Sequence, residues 1–199
     1  MDSVQKLLHI KEASILPFLH IIENLKTTPR KGWVNFNIDN PESIASHMYR
    51  MSIISMLCTE PSINRDRCIK MALVHDMAES IVGDITPFDK ISPEEKHQLE
   101  LDAMITLTSK ILPETSSQAA KEMIDLFLEY EEGKTPEALF VKDIDKFELL
   151  VQMVEYEKRT GKNLQQFLCV VPKIRNSLIL QWVNDVLKER EEFWASINQ

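Results

Sequence analysis

Glycine is scarce in this chain, four among 199 residues. So few positions free to take up positive φ argue against a turn-rich β architecture. Cysteine is scarce and odd in number, Cys58, Cys68 and Cys169. No Cys-x-x-Cys spacing occurs, which sets aside a disulfide framework, a zinc ribbon or a dithiol redox pair. The three are expected as buried free thiols in a reducing compartment. A basic excess is also missing: 23 Lys and Arg stand against 31 Asp and Glu, for a net charge of −8. There is no electrostatic footprint for a nucleic-acid polymer or an anionic membrane. No apolar run approaches the length of a membrane span, and the N-terminus opens amphipathically, unlike a secretory leader. Cytoplasm, and nucleus as well, are the expected locations. A small anionic substrate stays open, because a metal and one or two cationic side chains can dominate locally.

What the chain has is helical periodicity from end to end. Hydrophobic residues make up 44% and charged residues 27%, enough for one domain over residues 1–199 with a sizeable core. Leu7, Leu8, Ile15, Phe18, Leu19, Ile22 and Leu25 mark a stripe on a first helix that must end before Pro29. A polar stretch over 27–41 follows as the first long irregular segment, and such loops often carry function. A second helix is expected over 43–58, and a third begins at an Asn64 N-cap and carries the apolar run 69–81. Gly83 to Pro87 breaks it. Ser92-Pro93-Glu94-Glu95 reads as a capping box with proline at the first helical position. That helix should reach about residue 112. Others are expected over 117–131, stopped by Gly133, over 135–159, stopped by Gly161, and over 173–197. The predicted architecture is one all-α bundle of six or seven main helices.

Inside that pattern His75-Asp76 stands out. Burying an unpaired carboxylate costs several kcal/mol, so a charged pair within an apolar helical run needs a compensating partner. Helical spacing puts Glu79 on the same side as His75 and Asp76. His47 would come from the preceding helix and Asp145 from a third. Two imidazoles and two carboxylates suit a hydrolytic divalent-metal centre that keeps water on its open positions.

The blocks Pro41 to Arg50, Ala72 to Glu79, Val82 to Ile85 and Phe140 to Lys146 resemble the HD-domain metal-dependent phosphohydrolases, and within them the short 5'-deoxynucleotidases. The resemblance spans roughly residues 10–157, and the tail after Gly161 adds little to it. It implies an HD-domain helical bundle and a small-molecule nucleotide substrate. It also implies a divalent cation (manganese, cobalt or magnesium first, zinc or iron as alternatives) and a homodimer. Carried over by position, it implies that His47, His75, Asp76 and Asp145 hold a first ion. Glu79, Asp84 and the backbone carbonyl of Ile85 match positions for a second ion, with Glu79 and Asp84 also in the catalytic role. Arg30 and Trp33 match a loop that holds phosphate and sugar, and Asp84 is a further sugar contact. On this reading the metal activates water, Arg30 grips the phosphate bidentately, and Glu79 orients the water or relays its proton.

Alternatives are another phosphohydrolase reaction, on a cyclic nucleotide or a nucleoside triphosphate, and a non-catalytic nucleotide- or metal-binding regulator. Arg30, Arg50, Lys90 and Lys142 are thinly spread, which favours a monophosphate over a triphosphate. Arg50 itself divides between a phosphate contact and a structural salt bridge. His97 is expected to be solvated, and His9 and His20 to have ordinary helix roles. Asp143 is turned from the ion by helical geometry and expected as an exposed partner for lysine. The acidic run 129–132 reads as a solvated helix end, Met48, Met51 and Met56 as core filler, and Trp182 and Trp194 as packing or dimer-contact residues.

Overall fold

A computed structural model describes residues 14–86 and 88–197. Leu7, Leu8 and His9 lie outside the described residues, as does Pro87. Among the described residues the α-helices are α1 (Leu16–Ile22), α2 (Asn24–Thr27), α3 (Lys31–Asn35), α4 (Ile44–Met56), α5 (Arg65–Ala72), α6 (Glu79–Val82), α7 (Pro93–Ile105), α8 (Ser117–Glu132), α9 (Pro136–Thr160) and α10 (Ser177–Ile197). Seven of these ten run to seven residues or more, as the periodicity predicts. Among the described residues no strand forms; Pro29 and Ser43 make an isolated antiparallel bridge.

Local chemistry sets most boundaries. The Asn64 side chain accepts from the Arg67 N–H at 3.1 Å, Ser92 and Glu95 close a reciprocal capping box, and Thr135 caps α9. Gly133 and Gly161 end α8 and α9 in the left-handed conformation that glycine adopts without a Cβ penalty.

The 25-residue α9 is the spine. Ala138, Val141, Ile144, Phe147, Leu150, Met153 and Val154 recur along it at three- and four-residue spacing and are buried. This stripe is wide enough to face α4, α5, α8 and α10 together. Phe140, on the same helix, is also fully enclosed, and truncating such a side chain to alanine costs about 3–5 kcal/mol. Near its end, Glu157 is buried and accepts from the Leu164 N–H (2.7 Å), Arg190 Nε (2.7 Å) and Trp194 Nε1 (2.9 Å). That carboxylate fastens α10 to the segment following α9.

Several expectations are corrected. The third helix does not continue through His75: α5 stops at Ala72, and residues 73–78 are successive turns. There Val74, Met77 and Glu79 N–H groups donate three residues back, to Met71, Val74 and Asp76. The 27–41 stretch contains α3, with Asn37 and Asn40 at positive φ closing it. The last helix begins at Ser177, not 173, because Gln165–Lys173 is a 3-10 segment containing Pro172. Asp143 is buried, not exposed, and its Oδ2 accepts from the Arg175 and Asn176 N–H groups at 2.9 and 2.8 Å. Ile15, Leu19 and Met56 are exposed, while Phe18, Leu25, Met48 and Met51 enter the core. Cys58 and Cys68 are buried free thiols, but Cys169 is exposed.

Candidate metal centre

Three elements bring the donors together. His47 lies on α4, His75 in the turns between α5 and α6, and Asp145 on α9. One ligand atom from each of His47, His75 and Asp145 lies within 4.8 Å of the others. Asp76 Oδ2 adjoins this set, 3.2 Å from His75 Nε2 and 4.0 Å from His47 Nε2. On a regular helix, neighbouring His75 and Asp76 would point about 100° apart. The run of turns lets both reach the same point.

Each imidazole is tied by its Nδ1. Glu148 Oε2 stands 2.5 Å from His47 Nδ1, and the Ala72 carbonyl 2.9 Å from His75 Nδ1. Both rings therefore carry the Nδ1 proton when neutral and present an Nε2 lone pair inward, the arrangement that orients metal-binding histidines. Glu148 is fixed in turn by Arg50 Nε at 2.8 Å, and Arg50 also reaches Gln152 and Glu155. Arg50 is thus structural and does not contact the cavity.

The fit to a divalent ion can be tested on an atom. His47 is fully buried, yet its Nε2 has no hydrogen-bond partner. Asp145 Oδ1 is 3.2 Å away without making a hydrogen bond. A buried, unpartnered ring nitrogen facing two carboxylates and a second imidazole fits a cation with nitrogen and oxygen ligands. Burial and the Arg30 charge lower the His47 pKa, but Glu148 and Asp145 outweigh them and raise it to about 9. Burial would raise Asp76 and Asp145; the histidines and Arg30 reverse this and hold both carboxyls far below the usual carboxylate range. The site is built to hold positive charge.

Above these donors opens a cavity of about 680 Å³. Arg30 lines it and donates from Nη1 to Asp76 Oδ2 at 3.2 Å. Glu79, in the first turn of α6, is buried with Oε2 unpartnered, and burial, then Asp76 and Asp84, push its carboxyl well above the usual range. Asp84 Oδ2 accepts from the Lys31 N–H at 2.6 Å. The Ile85 carbonyl accepts from the Lys96 ammonium at 3.0 Å, so a cationic group already stands where the second ion was expected. Trp33 does not line the cavity: it is 1% exposed, donates from Nε1 to Glu42, and packs on Tyr156 and Phe167. Arg30, next to the Pro29–Ser43 bridge, lines the cavity, while Trp33, three residues on, lies in the core.

Cations are better represented than the sequence suggested. Arg30, Lys96, Lys142, Lys146 and Lys173 line the cavity, against Asp76, Glu79, Asp84, Glu100, Glu131 and Asp145. A divalent ion would turn this slightly acidic balance positive. Lys90 does not contribute.

A family model described as HD domain matches residues 22–180. The chain belongs to the HD-domain family. It is 56% identical over 191 residues to a 5'-deoxynucleotidase of Schizosaccharomyces pombe, across 95% of this chain and 96% of that one. It is 44% identical over 180 residues to a 5'-deoxynucleotidase of Homo sapiens, across 89% and 86% of the two chains. The solved structure of an HD domain-containing protein of Saccharomyces cerevisiae superposes with a TM-score of 0.68 at 34% identity, covering 89% of this chain and 85% of that one. A conserved hypothetical protein of Pyrococcus furiosus gives a TM-score of 0.69 at 26% identity, covering 89% and 99%.

Sequence reasoning missed three residues of this HD domain. Glu148 lies three positions after Asp145, so helical spacing signalled that both share a face. Tyr130, hidden in the acidic run, is buried, packs its ring 5.0 Å from His75 and donates to Asp145 Oδ2 at 3.4 Å. Lys96 gave no signal, since the contact depends on how α7 packs beside the Gly83 break. His97 is exposed as expected and pairs with Glu131.

Proposed function

We propose that this chain, as one catalytic domain, is a divalent-metal-dependent 5'-deoxynucleotidase, releasing phosphate from deoxyribonucleoside 5'-monophosphates. The convergence of His47, His75 and Asp145, the last two lining a cavity that Arg30 also lines, carries the reading. The named activity of the relatives in Schizosaccharomyces pombe and Homo sapiens supports the substrate class. His47, His75, Asp76 and Asp145 would hold the principal ion. When bound, it supplies charge neutralisation and a lowered water pKa; manganese, cobalt or magnesium leads, and zinc or iron also suits the donors.

The chain's own side chains supply the rest. Arg30, its guanidinium anchored by Asp76, offers its remaining donors to the phosphoryl oxygens. Glu79 Oε2, an unpaired acceptor with a raised pKa, takes a proton from the attacking water. A positioned base of this kind contributes typically ~10²–10⁴-fold. The water oxygen bonds to phosphorus as the bond from phosphorus to the 5'-oxygen breaks. The proton held by Glu79 then goes to the departing 5'-oxygen, leaving deoxynucleoside and phosphate. Asp84 faces the sugar, or helps Glu79 and the Ile85 carbonyl hold a second ion once Lys96 moves aside. The reading extends to a homodimer, supported by exposed Tyr49, Ile53 and Met56 along α4 and Leu57 at its C-cap. It extends also to the cytoplasm or nucleus, supported by three free cysteines.

Phosphate release after chelation and re-addition of manganese, cobalt, magnesium or zinc tests it. The panel pairs each deoxynucleoside 5'-monophosphate with its ribose counterpart and adds 3'-monophosphates, a cyclic nucleotide and a triphosphate. Metal-dependent release confined to the deoxy 5'-monophosphates is expected. Turnover of only the cyclic or triphosphate compounds would overturn it.

A further inference from the structure

Four aromatic rings run in file from the core to the cavity mouth. Trp33 is enclosed, and its ring centroid lies 4.6 Å from that of Phe167. Phe167 lies 5.0 Å from Phe36, and Phe36 lies 6.2 Å from Phe88. The last three line the cavity, and Phe88 is 68% exposed. A phenylalanine this open to water, at the end of a chain of packed rings, has apolar surface waiting for a partner.

The rings are held from different parts of the sequence. Phe36 is the C-cap of α3 and Arg30 its N-cap. Six residues at helical rise put roughly 9 Å between them along the axis, with Gly32, lacking a side chain, on the cavity wall between. Phe88 sits on the loop after the Gly83 break. There Asp89 accepts from Thr86 N–H at 2.8 Å and pairs with Lys31 on α3, which fixes the loop against the same helix. Phe167 belongs to the Gln165–Lys173 segment, beyond the HD motif blocks, and is seated by its N–H bond to the Leu164 carbonyl at 3.0 Å.

We infer that Phe36, Phe88 and Phe167 form the nucleobase subsite, binding the base by stacking while Arg30 binds the phosphate at the other end of α3. The inference rests on the nucleotide reading above and adds to it how the base is recognised. Every base has a π-face, so an aromatic wall takes purines and pyrimidines alike and favours the larger ring. Selection at this end is by shape and stacking, with hydrogen-bonded readout secondary.

The test compares deoxyadenosine and deoxycytidine 5'-monophosphates with 2-deoxyribose 5-phosphate, which keeps sugar and phosphate but has no base. Binding by calorimetry and phosphate release are measured on the full-length, metal-supplied protein and on Phe88→Ala, Phe88→Trp and Phe167→Ala. Phe88→Ala should fold as the parent does, since its ring is exposed. Loss of a stacking partner should raise Kd and KM for deoxyadenosine monophosphate about five- to hundredfold. The effect should be smaller for deoxycytidine monophosphate and less than twofold for deoxyribose phosphate; Phe88→Trp should retain the parent affinity. Equal losses on the base-free and base-bearing compounds, or no loss in either alanine variant, would overturn the subsite. Binding that depends on Phe88 without hydrolysis would instead overturn the nucleotidase reading and leave the stacking subsite supported.

Discussion

A neutral imidazole has one nitrogen that donates and one that accepts, and the group on the first decides what the second can do. At His47 that group is the Glu148 carboxylate, buried and held by Arg50. Glu148→Gln keeps the shape but not the charge, and should weaken metal binding tenfold to a hundredfold. Competition against a chelating indicator dye would measure this; an unchanged affinity would remove Glu148 from the site's support. The same residue predicts a pH dependence. His47 titrates at about 9 without metal, above the ordinary 6.5, so near neutral pH metal must displace a proton. Affinity should therefore fall as pH drops below about 9, by up to ~tenfold per unit from this group, and uptake at pH 7 should acidify a weakly buffered solution. For the metal-free protein the sign is opposite. A folded pKa above the unfolded one contributes stability that is complete below 6.5 and lost as pH rises toward about 9. Thermal melts at pH 6 and 9, with and without metal, should cross.

Asp143 shows how an element can depend on one side chain two positions from Asp145. Its carboxylate collects two N–H groups just before α10, and Asp143→Ala would leave them unpaired at about 1–3 kcal/mol. A lowered denaturant midpoint with unchanged metal affinity is expected; weaker metal binding would mean that Asp143 also shapes the site. Helix ends were legible in the sequence wherever the signal was local, as with Asn64, Ser92, Thr135, Gly133 and Gly161. The run 69–81 misled because Met71, Ala72, Val74, Met77 and Ala78 are buried and keep an apolar pattern while the backbone departs from the helix. His47, His75, Asp76 and Asp145, grouped from the sequence, do lie side by side in the structure. The inward position of Trp33 was not legible, because the rings that enclose it, Tyr156 and Phe167, lie far along the sequence. Phe167 was missed because its segment, though within the family match, lies after Gly161 and outside the four blocks read for chemistry.

At the scale of the molecule, the centre joins α4, α9 and the turns between α5 and α6, elements that also share the hydrophobic core. Metal binding is therefore coupled to global stability. At a hundred times its dissociation constant, a ligand specific for the folded state adds about 2.7 kcal/mol. Chelation should lower Tm, with the midpoint depending on free metal. A midpoint insensitive to manganese, cobalt, magnesium and zinc alike would argue that no such ion binds.

Glu157 carries a consequence for how such a chain can vary by descent. Its carboxylate joins Leu164, and through it Phe167, to Arg190 and Trp194 near the far end of the chain. A lineage that trimmed the last helix before Arg190 would strand a buried charge and loosen the wall of the cavity some twenty residues upstream. Drift at that terminus is thus constrained by the pocket, and change at Arg190 should be accompanied by change at Glu157.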